Sequence, residues 1–280
     1  MVSGMTRGRS RNVRAAGRQA VHSGYVEMLA RAGLAARGVL YIIIGWIAIQ
    51  VGFGNTGRKA DRSGALHTIA SKPLGSVALW LLVVGFIGMT LWRLSEAAYG
   101  GPGPDGRKAS TRLAALAKAA FYGFVTFGIL KYALGLGAPP SSNKQSRDLT
   151  ASAMSHPGGK ILVVVAGLAL MAWGAYRAYS AARKKFLKRL QLSRLSRRGR
   201  QVVEKLGQIG GIARGTVFAA AGIFLVVAAV QARPKHAKGI DSTLRALAHT
   251  PLGTWLLVVV AAGLVTFGAY SFCEARWRRM

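Results

Sequence analysis

The sequence predicts an all-α integral membrane protein: six transmembrane helices arranged as three parallel two-helix repeats in a pseudo-threefold bundle. Three observations carry this. Six apolar runs are each about 20 residues long, enough to cross a hydrocarbon layer of roughly 30 Å as helix. The chain is 51% hydrophobic, yet 39 Lys and Arg against 8 Asp and Glu give it a net charge of +31. The same sequence landmarks also recur three times. Only 17% of residues are charged, against about 25% in a typical soluble domain, which argues against an ordinary soluble enzyme. A half-apolar chain is equally unlike a disordered basic tail.

Taken in order, the spans are Leu34–Phe53, Leu74–Trp92, Leu113–Leu136, Ile161–Tyr179, Ile212–Ala232 and Leu252–Phe272. The third is the least continuous, because Lys118 and Lys131 interrupt it. Two lysines at opposite ends of a helix can snorkel in opposite directions, so the span stands. The connections give the orientation. Of the 39 Lys and Arg, 27 fall in the N-terminal region, the even-to-odd connections and the C-terminal end, and 12 in the three alternate loops. By the positive-inside rule both termini face the cytoplasm. The chain therefore divides into a basic tail (1–30), repeat 1 (31–100), repeat 2 (112–182), a basic loop (183–206) and repeat 3 (207–280).

The repeats rest on spacing. The odd helices open with Arg37-Gly-Val-Leu-Tyr41, Lys118-Ala-Ala-Phe-Tyr122 and Arg214-Gly-Thr-Val-Phe218. The outer loops end at Pro73, Pro157 and Pro251, each followed by Gly two residues later. Counting on from each proline, Trp92, Tyr176 and Tyr270 share one position and Glu96, Ser180 and Glu274 another. Proline at the first turn of the even helix would lose no hydrogen bond, and its fixed φ is already helical. Before it, each outer loop carries one acid, Asp61, Asp148 or Asp241, and a short apolar run. These read as short interfacial helices capped by the acid or a nearby Ser.

This pattern of tandem triplication, Arg-Gly-x-x-Tyr/Phe openings and x-Pro-x-Gly starts resembles a bacterial membrane family known as domain of unknown function twelve-oh-six, whose members look like three copies of a two-helix unit. The resemblance spans roughly residues 31–276 and implies the architecture and a place in the bacterial cytoplasmic (inner) membrane, without implying a mechanism. The middle copy departs most, with Lys118 for Arg, Ala119 for Gly and Ser180 for Glu.

Few residues invite chemistry. The odd helix begins, and the even helix ends, on the same side. Arg37 and Glu96 are therefore expected at one depth, and Arg214 and Glu274 likewise, as candidate ion pairs at the inner boundary or as side chains snorkelling into the headgroups. Trp92, Tyr176 and Tyr270 are expected in the inner aromatic belt. Dense span glycines, including Gly211-x-x-x-Gly215, point to close helix packing. Cys273 is the lone cysteine, the five histidines have no metal-ligand spacing, and no nucleotide-binding or protease motif occurs. No cofactor, no metal and no enzymatic activity are expected. The run Arg183-Lys184-Lys185-Phe186-Leu187-Lys188-Arg189 suits anionic lipid at the cytoplasmic face, at about 1 kcal/mol per basic residue. With Phe186 its single aromatic, it offers nucleic acid little to stack on. The expected role is a structural or interaction module, the alternative a small channel or transporter along the repeat axis.

Overall fold

The computed structural model describes residues 24–54, 57, 59–100, 106, 108–248 and 253–278. The basic tail expected over 1–30 falls largely outside them, and Pro251 entirely so. The α-helices among the described residues are α1 (Gly24–Gly52), α2 (Arg62–Ala70), α3 (Gly75–Tyr99), α4 (Ala109–Ala133), α5 (Ser142–Met154), α6 (Gly159–Ala182), α7 (Arg197–Val230), α8 (Ile240–Ala248) and α9 (Gly253–Trp277). Six of them, α1, α3, α4, α6, α7 and α9, are long and apolar enough to cross a membrane. The short helices α2, α5 and α8 precede the even spans, one in each repeat.

The long helices pack around a ring in the order α4, α3, α1, α9, α7, α6. In a complete pseudo-threefold ring α4 and α6 would also pack, since they belong to one repeat. Among the described residues they scarcely touch, so the ring is open at one seam. The flanking helices show it. In α4 and α6 only 22% and 17% of the apolar core segment is buried, against 56%, 50% and 50% in α1, α3 and α9.

Glycine decides how tightly the helices meet. Between α6 and α7, a Cβ on Gly174 would lie 2.8 Å from the Gly215 carbonyl oxygen, and one on Gly215 would lie 2.7 Å from that of Gly174. Gly167 and Gly222 pair in the same way one level up. Between α9 and α1 the equivalent pair is Gly268 with Gly38. With no Cβ, the backbones approach closely enough for extensive dispersion contact, the main attraction available between helices in lipid. At the third equivalent interface, α3 with α4, the positions of Gly174 and Gly222 hold Thr90 and Thr126. Their hydroxyls lie 3.3 Å apart, and each also bonds the carbonyl four residues back in its own helix.

The repeated proline lies outside the even helix rather than in its first turn. Pro73 is the second residue of a turn closed by Gly75 N–H donating to Lys72 O at 2.9 Å, and Leu74 takes a left-handed φ of 61°. The geometry is type II, which favours Pro second and a positive φ third. Repeat 2 repeats it with Gly158 at φ 76° and Gly159 N–H donating to His156 O. The glycine after that residue has a separate reason: a Cβ on Gly159 would stand 1.8 Å from Ala153 O, and one on Gly75 2.5 Å from Ile69 O. The x-Pro-x-Gly motif therefore folds the short helix back onto the start of the next span.

Candidate functional site

On the face opposite the end of α9, the short helices are tied into one hub. Asp61 caps α2 by accepting from Gly64 N–H at 3.0 Å, and its other oxygen accepts from the backbone and hydroxyl of Ser142 in repeat 2 at 2.7 and 2.8 Å. Asp241 accepts from Ala60 N–H of repeat 1 at 2.8 Å and from Asn143 Nδ2 of repeat 2 at 3.1 Å. Asn143 Oδ1 in turn accepts from Gly239 and Ser242 N–H. Both carboxylates are fully or nearly fully buried. The three acids thus differ in role. Asp61 is an N-cap, Asp241 sits inside the first turn of α8, and Asp148 is exposed while Ser141 caps α5. In repeat 2 the inter-repeat bonds come from Ser142 and Asn143, which a search for one recurring acid passes over.

On the other face the odd helices begin. Arg31 donates to the last carbonyls of α9, at Ala275 and Arg276, and Arg112 does so to Ala97 and Ala98 of α3. Gln208 donates to Ala182 at the end of α6. Each donor stands six residues before Arg37, Lys118 or Arg214. A donor at these carbonyls satisfies orphan acceptors and, when charged, meets the negative end of the helix dipole. A regular spacing carried this signal, hidden by the change to Gln.

Six residues further on, Arg37 and Arg214 both reach Phe267. Arg37 Nη2 bonds Glu274 Oε2 at 2.6 Å and Ser271 Oγ at 3.2 Å, and Glu274 also accepts from Arg278. Arg37, Glu274 and Arg278 are all buried. Glu96 pairs with Arg93, a neighbour on its own helix. The within-repeat pairs Arg37 with Glu96 and Arg214 with Glu274 are therefore not formed. The reason is packing: at this depth an odd helix lies closest to the even helix of the preceding repeat around the ring, across the glycine pair, so Arg37 meets α9. Arg214, in the same position of repeat 3, stands where α7 packs on α6, with its guanidinium turned mainly to rings of α9 and α1.

There the acceptors are absent. The positions of Ser271 and Glu274 hold Arg177 and Ser180 in α6. Among the described residues no hydrogen bond from Arg214 forms, and its buried Nε has no partner. Aromatic rings surround it instead. Its guanidinium carbon lies 4.9 Å from the centroid of Phe267, 5.2 Å from Phe218, 5.4 Å from Tyr41 and 6.0 Å from Trp173. Phe267 is shared, with Arg37 at 5.3 Å. Each such contact contributes about 0.5–2 kcal/mol.

The expected aromatic belt is also redistributed. Trp92 and Tyr270 are buried, and Tyr176 alone is exposed. Trp92 lies under the guanidinium groups of Arg93 at 4.0 Å and Arg278 at 4.6 Å. Tyr270 meets Phe186 of the basic loop edge-on at 5.2 Å. Cations cover Trp92 and aromatic neighbours cover Tyr270, so two of the three serve the core rather than the headgroup region.

The comparisons with known proteins follow this threefold plan. The family model described as Domain of Unknown Function (DUF1206) matches residues 32–100, 113–184 and 209–278. The chain belongs to the DUF1206 family. It is also similar to the uncharacterized protein YxxB of Bacillus subtilis (strain 168), at 28% identity over 258 residues, covering 91% of this chain and 92% of that protein. No solved structure matches significantly. Each DUF1206 match takes in one odd and one even span, so the family unit is the two-helix repeat with its short intervening helix. The ring is what three such units build.

Proposed function

We propose that this DUF1206 protein is a non-enzymatic structural and interaction module of the bacterial cytoplasmic membrane. In this reading both termini are cytoplasmic and the basic terminal face rests on anionic lipid. The observation that carries it is how the basic loop is held. Leu190 is buried and forms an antiparallel bridge with Arg278, and Gln191 N–H donates to Trp277 O at 2.8 Å. Phe186 packs over Gly207 and Tyr270. The loop is anchored by its apolar residues, and Lys184, Lys185, Lys188 and Arg189 are exposed, Lys184 beside Glu204 and Lys185 over Tyr176 and Tyr179. Fixed cations beside a span attract anionic headgroups without an ordering penalty.

The channel or transporter alternative has less support. Thr90, Thr126, Thr216 and Thr266 each donate to the carbonyl four residues back. Their hydroxyl protons are directed into their own helices, and of the four only Thr90 and Thr126 also meet across a helix interface.

Reconstituted protein tests the lipid reading. The full chain should prefer phosphatidylglycerol over phosphatidylcholine in its surrounding lipid, and Lys184→Gln with Lys185→Gln and Lys188→Gln should reduce that preference severalfold. An unchanged preference would overturn it, and ion flux above the empty-vesicle background would favour the channel. For orientation, cysteine at exposed Lys144 should react with an impermeant maleimide in intact cells and cysteine at Ser193 should not. The reverse result would invert the topology.

A further inference from the structure

We propose that the seam between α4 and α6 admits the headgroup of an anionic phospholipid, whose phosphate is bound by Arg214 and Arg177. This rests on the anionic-lipid reading above and assigns it a built site. The first argument is internal comparison. Arg37 and Arg214 occupy the same repeat position, and Arg37 is neutralised by Glu274 with help from Ser271. At Arg214 the carboxylate is replaced by Ser180 and the serine by a second arginine, Arg177. One interface thus holds an ion pair, and its pseudo-symmetric partner lacks one acid and has gained one cation.

The second argument is charge. Arg177 forms no hydrogen bond among the described residues, and the backbone brings it beside Arg214: a Cβ on Gly215, the residue after Arg214, would lie 2.6 Å from the backbone N of Ala178, the residue after Arg177. Arg189, Arg37 and Glu274 are also within electrostatic reach, and Glu274 is the one carboxylate in that group. Glu274 already accepts from two arginines. Like charges gathered at the edge of hydrocarbon are costly unless an anion joins them. Two guanidinium groups present the forked donors that suit phosphate oxygens.

The third argument selects the occupant. The ring is open on this side, with half-buried Arg177 on one lip and exposed Lys118 on the other. Along the two seam-flanking helices, Phe121 and Phe124 of α4 and Leu168 and Trp173 of α6 are exposed apolar side chains. A ligand that is anionic at one end and hydrocarbon beyond it matches cations at one end of two helices that carry exposed apolar side chains along their length. A second copy of the chain would bring the same cations face to face.

Native mass spectrometry of the purified full chain in detergent tests this with phosphatidylglycerol, phosphatidylcholine of the same acyl chains, and inorganic phosphate. The wild type should retain one phosphatidylglycerol with about a tenfold preference over phosphatidylcholine, and Arg214→Gln and Arg177→Gln should each weaken retention about tenfold. Arg200→Gln, at an exposed residue of α7 away from the seam, should retain it fully. If Arg214→Gln fails to fold by gel filtration and circular dichroism, Arg177→Gln decides, because Arg177 is only half buried and, unlike Arg214, is not packed among aromatic rings. Unchanged retention in Arg177→Gln overturns the proposal. So does equal binding of phosphatidylcholine, equal stabilisation by inorganic phosphate, or a dimer in place of bound lipid. Loss of this tight site while the surrounding-lipid preference survives sinks this inference alone. Loss of that preference with the tight site intact sinks only the broader reading.

Discussion

Arg37 and Arg214 differ in their partners, although the repeat places them identically. Arg37 faces a buried carboxylate and Arg214 faces rings. Removing one member of a buried ion pair leaves an uncompensated charge and costs about 3–5 kcal/mol. Arg37→Gln and Glu274→Gln should each lower the melting temperature in detergent, and the double variant should be less harmed than the sum, with a coupling of about 1–3 kcal/mol. Arg214→Gln combined with Glu274→Gln should show the smaller coupling. If that second cycle couples as strongly as the first, the cross-repeat assignment is wrong. At the other face, Asp241→Ala would strip acceptors from Ala60 N–H, Asn143 and Arg245 together. A loss of about 3 kcal/mol or more is expected, read as a lower melting temperature, because buried donors are left without partners. The exposed Asp148→Ala should change it little.

At the scale of elements, the interfaces differ in how their backbones approach. Gly174→Val would place side-chain atoms against Gly215 O and the Ala219 backbone, where even a Cβ would lie 2.4 Å from Ala219 N. Overpacking of this kind costs about 1–3 kcal/mol or more. The α6–α7 pair should separate, measured as a loss of thermal stability and faster proteolysis at the basic loop. Thr126→Gly tests the opposite case. It removes a hydroxyl contact while allowing closer approach, so its effect should be within about 1 kcal/mol. Stability unchanged by Gly174→Val would remove close backbone contact as the basis of that interface. Dense span glycines are legible in the sequence as packing residues, but not which helix each one faces. That depends on the rotation of each helix about its axis, and glycines on two faces of α7 meet two different neighbours: Gly215 meets α6 and Gly210 meets α9.

At the scale of the whole molecule, the helix order is open to cross-linking. With Cys273 replaced by Ser, cysteines at Thr90 and Thr126 should form a disulfide between α3 and α4, since the native hydroxyls are 3.3 Å apart. Cysteines at Ala114 and Ala169 occupy in repeat 2 the positions that Gly33 and Gly85 hold in repeat 1, where a Cβ on Gly33 would lie 2.5 Å from Gly85 O. They should not cross-link, because α4 and α6 are separated by the seam. Efficient closure of the second pair would mean that the ring is complete and the seam absent.

The sequence alone determined the spans, the threefold repeat, the loop asymmetry of charge and the family, because these depend on hydropathy and spacing along the chain. It also brought attention to Arg37, Glu274, Asp61 and Asp241, since charged residues beside apolar runs stand out wherever they end up. Tertiary structure decided which of them meet. Pairing across the ring joins Arg37 to Glu274, ties repeat 2 to its neighbours through Ser142 and Asn143 while Ser141 rather than Asp148 caps α5, and draws Trp92 and Tyr270 into the core. The physical reason is that depth in a membrane is set by each helix separately, whereas partners are set by the neighbour around the ring. In this chain the neighbour at the charged level comes from another repeat, and at the α6–α7 interface that neighbour supplies Arg177 and Ser180 where α9 supplies Ser271 and Glu274.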